Sequence, residues 1–257
     1  MSEVFRPCAL IPTYDNPATV RAVVERVRGF LPDVVVVDDG SAAEGAAAVA
    51  AVGAAGLAHV TRREQNGGKG AAVKTGFAFA HGLGYTHALQ VDADGQHALE
   101  DIPRFLAAAQ ARPEALVLGA PIYDHTAPRG RMIGRQITLF WTAVEVGRGT
   151  ITDPMCGFRV YPLAAALATP PTGDRMDFDI EVAVRMAWMG VPIVNLPTRV
   201  RYLGREEGGV SHFHLLRDNL RIGWMHTRLS MTALLWRPLL RVLGRGPRRL
   251  PAARERG

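Results

Sequence analysis

The chain has 257 residues, 48% hydrophobic and 21% charged, which allows one large α/β domain with a substantial core and excludes wholesale disorder. Only two cysteines occur, Cys8 and Cys156, and no apolar leader precedes them, so a disulfide framework is excluded and a reducing cytosol is expected. Net charge is +6 with arginines crowding residues 217–256, and no apolar run reaches the ~18 residues of a membrane span.

Taken in chain order, apolar runs alternate with stretches of helical periodicity. Cys8-Ala9-Leu10-Ile11-Pro12 reads as a buried strand running into a loop. Residues 16–30 carry Val20, Val23, Val24 and Val27 at helical spacing, with Asn16 as cap and Pro17 at the first helical position. Asp33-Val34-Val35-Val36-Val37 reads as a strand buried on both faces, and it stops at Asp38-Asp39-Gly40-Ser41. An alanine-rich helix over 44–55, a short strand over 59–62 and a helix opened by Gly67-Gly68-Lys69-Gly70 follow. Ala88-Leu89-Gln90-Val91 is the next strand, closing on Asp92-Ala93-Asp94-Gly95. A helix over 102–111 and a strand over 115–118 complete the alternation, which implies a mostly parallel sheet with ligands at the carboxyl ends of its strands. Beyond residue 122 the pattern predicts an amphipathic helix around 137–141, a loop 152–158 into a short strand, a helix over 179–189, an extended run 191–200, a glycine-containing charged loop 202–209, and one or two helices over 212–243.

Asp92 and Asp94, one residue apart at a strand end, are suited to share one hard cation such as Mg²⁺ or Mn²⁺, leaving positions open for phosphate oxygens. A cation there would neutralise charge on a departing diphosphate. The competing reading is an acidic turn bonded to its own backbone. A carboxylate at Asp38 or Asp39 can accept from a base N–H, or the turn can cap the next helix through Ser41. Backbone N–H groups at 67–70 together with Lys69 suit an anion, although the spacing is not that of a P-loop. Asp153 is a candidate general base or a turn-starting Asp before Pro154. Asp177, Asp179 and Glu181 form a second acidic group, with Asp179 a candidate helix cap. Arg205 can clamp a phosphate or stand as a solvated surface arginine.

In order, Ile11-Pro12-Thr13-Tyr14-Asp15-Asn16, Val37-Asp38-Asp39-Gly40-Ser41, Asn66-Gly67-Gly68-Lys69-Gly70, Val91-Asp92-Ala93-Asp94-Gly95-Gln96-His97, Thr152-Asp153-Pro154-Met155-Cys156-Gly157-Phe158-Arg159 and Phe178-Asp179-Ile180-Glu181 resemble the family 2 inverting glycosyltransferases of GT-A fold, nearest the dolichyl- and polyprenyl-phosphate sugar synthases. The resemblance covers roughly residues 7–215. It implies that Pro12, Tyr14, Asp38 and Asp39 line a nucleotide pocket, that Asp92 and Asp94 hold the metal around Ala93 with Gln96 close by, and that Asp153 activates the acceptor. Arg131 or Arg135, and Arg205, would meet phosphates of donor or acceptor, and transfer would invert the sugar carbon. The Gln-x-x-Arg-Trp motif of processive members is absent, which argues against long-polymer synthesis.

The division expected is a GT-A domain over 1–214 and a basic amphipathic helical tail over 215–257. Arginines mixed with Leu, Trp and Met in that tail suit a peripheral contact with an anionic membrane on its cytoplasmic side, and nothing resembles a nucleic-acid motif. The partners expected are a nucleotide-sugar donor (UDP or GDP) and a lipid or polyprenyl-type acceptor. Two other functions fit parts of the pattern: a sugar nucleotidyltransferase, and a non-catalytic membrane-binding module. The first needs a glycine-rich basic loop after the first strand, where Pro12-Thr13-Tyr14-Asp15 stands instead.

Overall fold

The computed structural model describes residues 4–122, 129–169, 171–199 and 215–236, with the side chains of 129–131, 215, 216 and 236 outside the description. Seven strands form one sheet, β1 (Pro7–Thr13), β2 (Val34–Asp38), β3 (His59–Arg62), β4 (His87–Gln90), β5 (Leu116–Ile122), β6 (Arg159–Pro162) and β7 (Ile193–Arg199). Their order is β3-β2-β1-β4-β6-β5-β7. Every pairing is parallel except those of β6, which runs antiparallel to both β4 and β5. The helices are α1 (Val20–Arg28), α2 (Ala43–Ala54), α3 (Lys69–Gly82), α4 (Ile102–Ala111), α5 (Arg129–Val146), α6 (Leu163–Leu167), α7 (Phe178–Trp188) and α8 (Leu215–Met231).

The valine run explains the layering. Successive strand side chains point to opposite faces, and Val35 and Val37 enter one core cluster with Phe77, Tyr161 and Phe178, while Val34 and Val36 enter the other with Val20, Val24 and Phe105. Both faces of β1 and β2 are therefore covered, as a parallel strand requires. The glycine at 76 permits close seating of α3 on the sheet, because a Cβ there would lie 2.3 Å from a Leu10 methyl.

Connections from β1 run first toward β2 and β3 and then return to β4 on the other side of β1. That reversal opens a crevice at the carboxyl ends of β1 and β4, the place where doubly wound sheets bind ligands. Pro12 and Tyr14 end β1, and Asp92 and Asp94 follow β4.

Several expectations shift in detail. α1 starts at Val20 instead of at residue 17, because the Asn16 amide donates to the carbonyl of Tyr14 and the hydroxyl of Thr13 instead of capping a helix. α6 lacks a strong periodic signal and was not foreseen. α8 is joined to the core on its inner face: Met225 and Leu229 are buried within the cluster that contains Phe178. Among the described residues no helix is long and apolar enough to cross a membrane.

Candidate active site

The turns after β1, β2 and β4 form the rim of the crevice. The first two are tied together: the Asp15 N–H donates to Ser41 Oγ at 2.9 Å, and Asp15 Oδ1 accepts from the Ala42 N–H at 2.8 Å. Asp15 holds a left-handed conformation with φ 49 to do so. Ser41 is thus spent on the neighbouring loop and gives α2 no side-chain cap.

Asp38 and Asp39 are both buried and both partnered. Asp38 accepts from the Ser41 N–H at 2.9 Å and pairs with Arg62. Asp39 accepts from the N–H groups of Gly67 (3.1 Å) and Gly68 (2.6 Å) and pairs with Arg63 at 2.8 Å. Burial pushes the Asp39 carboxyl above its usual range against the pull of these donors. The N–H groups that the sequence reading kept for a phosphate are therefore given to Asp39, which fixes the 67–70 loop beside the β2 end. This corrects the expectation that the two glycines stand open to an anion.

At the end of β4, Asp92 lies between two cationic or protonatable side chains. Lys69 Nζ is 2.8 Å from Asp92 Oδ1 and 2.9 Å from Asp179 Oδ2, and His97 Nε2 is 3.2 Å from Asp92 Oδ2. Burial opposes the charge on Asp92, yet the Lys69 ammonium and the adjacent His97 ring hold its carboxyl well below the usual carboxylate range. Lys69 is raised in turn, since Asp179 and Asp92 outweigh its own burial. Asp94 is different. Burial and the charge of Asp92 push its carboxyl up, and its hydrogen bond is to the Gln96 N–H at 3.1 Å. Ala93 is buried beneath the turn, where its carbonyl accepts from Thr19 Oγ1 at 2.7 Å. Gly95 closes the turn with φ 74.

The loop 152–158 covers this pair. Gly157 is pressed against it so closely that a Cβ would stand 2.6 Å from Lys69 Nζ and 2.8 Å from Asp92 Oδ2. Asp153 is fully buried: Oδ1 accepts from the N–H groups of Met155 (2.8 Å) and Cys156 (3.1 Å), and Oδ2 pairs with Arg135 Nε at 2.6 Å. Arg159, 0% exposed, holds the loop from below by donating to the carbonyls of Cys156, Pro154 and Asp179. Charge-assisted bonds to three carbonyls offset the cost of burying a guanidinium.

The structure thus gathers Lys69, Asp92, Asp94 and Gln96 at one point, with Asp153 and Arg135 behind the covering loop. The side chain of Arg131 and the whole of Arg205 lie outside the described residues. The sequence assigns no role to His97, Arg159 or Gly157, and it leaves Asp179 between a helix cap and a site residue. Asp177 occupies the cap position, and Asp179 faces inward to Lys69. A lone buried Arg inside a strand, at the first residue of β6, was the signal that was available.

The model for glycosyl transferase family 2 matches residues 8–164, more than half of the chain. The chain belongs to glycosyl transferase family 2. It is a glycosyltransferase of α/β GT-A fold. An undecaprenyl-phosphate mannosyltransferase of Micrococcus luteus is 30% identical over 218 residues, which span 79% of this chain and 86% of that protein. A polyprenol monophosphomannose synthase of Mycolicibacterium smegmatis is 32% identical over 61% of each chain. Among solved structures, the glucosyl-3-phosphoglycerate synthase of Mycobacterium tuberculosis, in complex with Mn²⁺, UDP and glucosyl-3-phosphoglycerate, superimposes with a TM-score of 0.64 at 17% identity, over 88% of this chain and 80% of that one. These relatives set aside the nucleotidyltransferase and the non-catalytic module.

Proposed function

We propose that this family 2 enzyme transfers a sugar, with inversion, from a UDP- or GDP-sugar to a polyprenyl-phosphate-type lipid, using Mg²⁺ or Mn²⁺ held by Asp92 and Asp94. The carrying observation is the charge balance at the crevice. Two carboxylates, Asp92 and Asp179, bridge one lysine, and Asp94 beside them is left with a carboxyl raised by its burial and by the charge of Asp92. Oδ1 of Asp92 and both ring nitrogens of His97 are buried without an aligned hydrogen-bond partner. This donor set fits a hard cation. Among the described residues no three His, Cys, Asp or Glu side chains surround a common point, so the protein supplies two carboxylates and leaves the other positions to donor oxygens. The cation, when bound, offsets negative charge on the leaving nucleoside diphosphate.

The chain's own groups do the rest. Pro12, Tyr14, Asp38 and Asp39 wall the nucleotide side, with the two acids acting through the loops they pin. Lys69 holds Asp92 in place. Arg135 is the exchangeable partner of Asp153: an acceptor phosphate that takes its guanidinium frees Asp153 Oδ2 to accept the acceptor's proton. The acceptor oxygen then bonds the anomeric carbon while the bond to the diphosphate oxygen breaks. Arg131 and Arg205 are assigned to phosphates of donor or acceptor. The relatives' names support the lipid acceptor.

The outer face of α8 supports a peripheral membrane contact on the cytoplasmic side. Leu220, Trp224 and Met231 are exposed along it, and Leu235 is exposed in the segment that follows it, close to a helical repeat, as in helices that lie in a bilayer interface.

The test is Asp153→Asn in the purified protein, assayed with labelled donor and polyprenyl phosphate in detergent. Transfer should fall about 10²–10⁴-fold, with metal-dependent donor binding retained. Transfer at the wild-type rate would remove Asp153 from the reaction.

A further inference from the structure

A second cavity, of about 420 Å³, opens between the 172–177 loop and α8, with Gly67 at its edge. Its size is that of a small-molecule site. Neither Asp92, Asp94 nor Asp153 lines it. Its charged lining is Asp174, Arg175, Asp177, Arg221 and Arg228. Arg228 is matched by Glu181 at 3.0 Å, and Asp174 by Lys74. Asp177 Oδ1 accepts from the Arg175 N–H at 3.2 Å. Among the described residues the guanidinium groups of Arg175 and Arg221 have no hydrogen-bond or ion-pair partner. The cavity therefore holds two uncommitted cations against one acid.

Arg175 is placed by packing. Its stem lies against Gly68, where a Cβ would come 2.5 Å from its Cγ. Arg221 comes from α8, two turns before the paired Arg228 and beside Trp224, which lines the cavity and is 69% exposed. On α8, Arg217, Arg221 and Arg228 follow one flank, and the exposed Leu220, Trp224 and Met231 follow the adjoining one. Two guanidinium forks facing one space match the geometry of phosphate oxygens. An indole at the mouth offers a face for the body that carries the phosphate.

We propose that this cavity is a second anion site, separate from the Asp92–Asp94 crevice, which takes a phosphate group on Arg175 and Arg221 with its organic part over Trp224. The site does not depend on the donor assignment. The phosphate is either free or the head of a membrane lipid, and the experiment distinguishes the two.

Trp224 is its own reporter. Full-length protein without added metal is titrated with inorganic phosphate, and separately with phosphatidylglycerol and phosphatidylcholine vesicles, while tryptophan emission is followed. A saturable change that disappears in Trp224→Phe, survives in Asp94→Asn, and weakens at least tenfold in Arg175→Gln/Arg221→Gln supports the site. Response to inorganic phosphate marks a free phosphate as ligand. Response only to phosphatidylglycerol vesicles marks a lipid head. The Arg175→Lys/Arg221→Lys pair keeps the charge and should retain part of the response. A response equal to that of chloride at matched ionic strength, one lost in Asp94→Asn, one unchanged in the glutamine pair, or none to any probe overturns the proposal.

Discussion

Gly157 carries no side chain because Lys69 and Asp92 occupy the space where a Cβ would go. Overpacking of this kind costs about 1–3 kcal/mol, and here the displaced atoms belong to the ion pair that orders the crevice. Gly157→Ala should lower thermal stability modestly and reduce transfer by tenfold or more, as read by calorimetric melting and a product assay. Wild-type activity in that variant would show that the Lys69–Asp92 contact is incidental. The acids of the crevice were legible as residues that follow apolar strands. Their partners were not, because Lys69 and Asp92 lie 23 positions apart and Arg159 approaches Asp179 across 20. Only the fold brings such groups together. For the same reason Asp39 was read as open to a ligand, whereas it is consumed by Gly67 and Gly68.

Elements were readable wherever one period dominated. The valine strand β2, the β4 strand and α4 stand close to where apolar spacing places them, because burial on one face or both leaves few alternatives. β6 was legible as a short strand but not as the antiparallel insert between β4 and β5, since pairing direction leaves no local trace in four residues. The junction of α7 with α8 carries a prediction of its own. Glu181 is fully buried and accepts from the Gly173 N–H at 2.8 Å, from Arg185 at 2.7 Å and from Arg228 at 3.0 Å. Burial raises its carboxyl, but those donors win and hold it below the usual range. A carboxylate with a depressed folded value contributes stability above its unfolded value, near 4.5, and loses it as pH falls through the folded one. Glu181→Gln should therefore flatten the acid limb of the stability curve below about pH 4.5. Removing one partner of a buried pair costs about 3 kcal/mol at neutral pH. Glu145, Asp39 and Asp94 are raised and act in the opposite sense, so the comparison of wild type with the variant isolates Glu181. An acid limb identical in both would contradict this role. Urea unfolding at several pH values provides the reading.

For the whole molecule, the order of strands places the crevice between β1 and β4, and the same chain turns an apolar, arginine-flanked helix outward. α5 adds a second outward stripe of Ile133, Ile137 and Phe140 and is bound to α8 by Glu145, which meets His226 at 2.8 Å and Ser230 at 3.3 Å. Since α8 is part of the core, removing it would disturb the enzyme, and point changes are the better probe. Leu220→Ser/Met231→Ser/Leu235→Ser should release the protein from anionic vesicles in flotation while leaving its melting temperature near that of wild type. Equal flotation of variant and wild type would place membrane contact elsewhere. The general class, α/β with carboxylates at strand ends, was visible in the alternation of patterns, whereas the docking of α8 was hidden because an amphipathic helix reads alike whether its apolar side meets a protein or a bilayer. The most direct test of the central claim is calorimetric titration of UDP- and GDP-sugars into the enzyme, with Mn²⁺ and with chelator, for wild type and Asp94→Asn. The account predicts saturable binding of at least one donor that needs Mn²⁺ and is lost in Asp94→Asn. Donor binding of equal strength with chelator, or unchanged in Asp94→Asn, would contradict it.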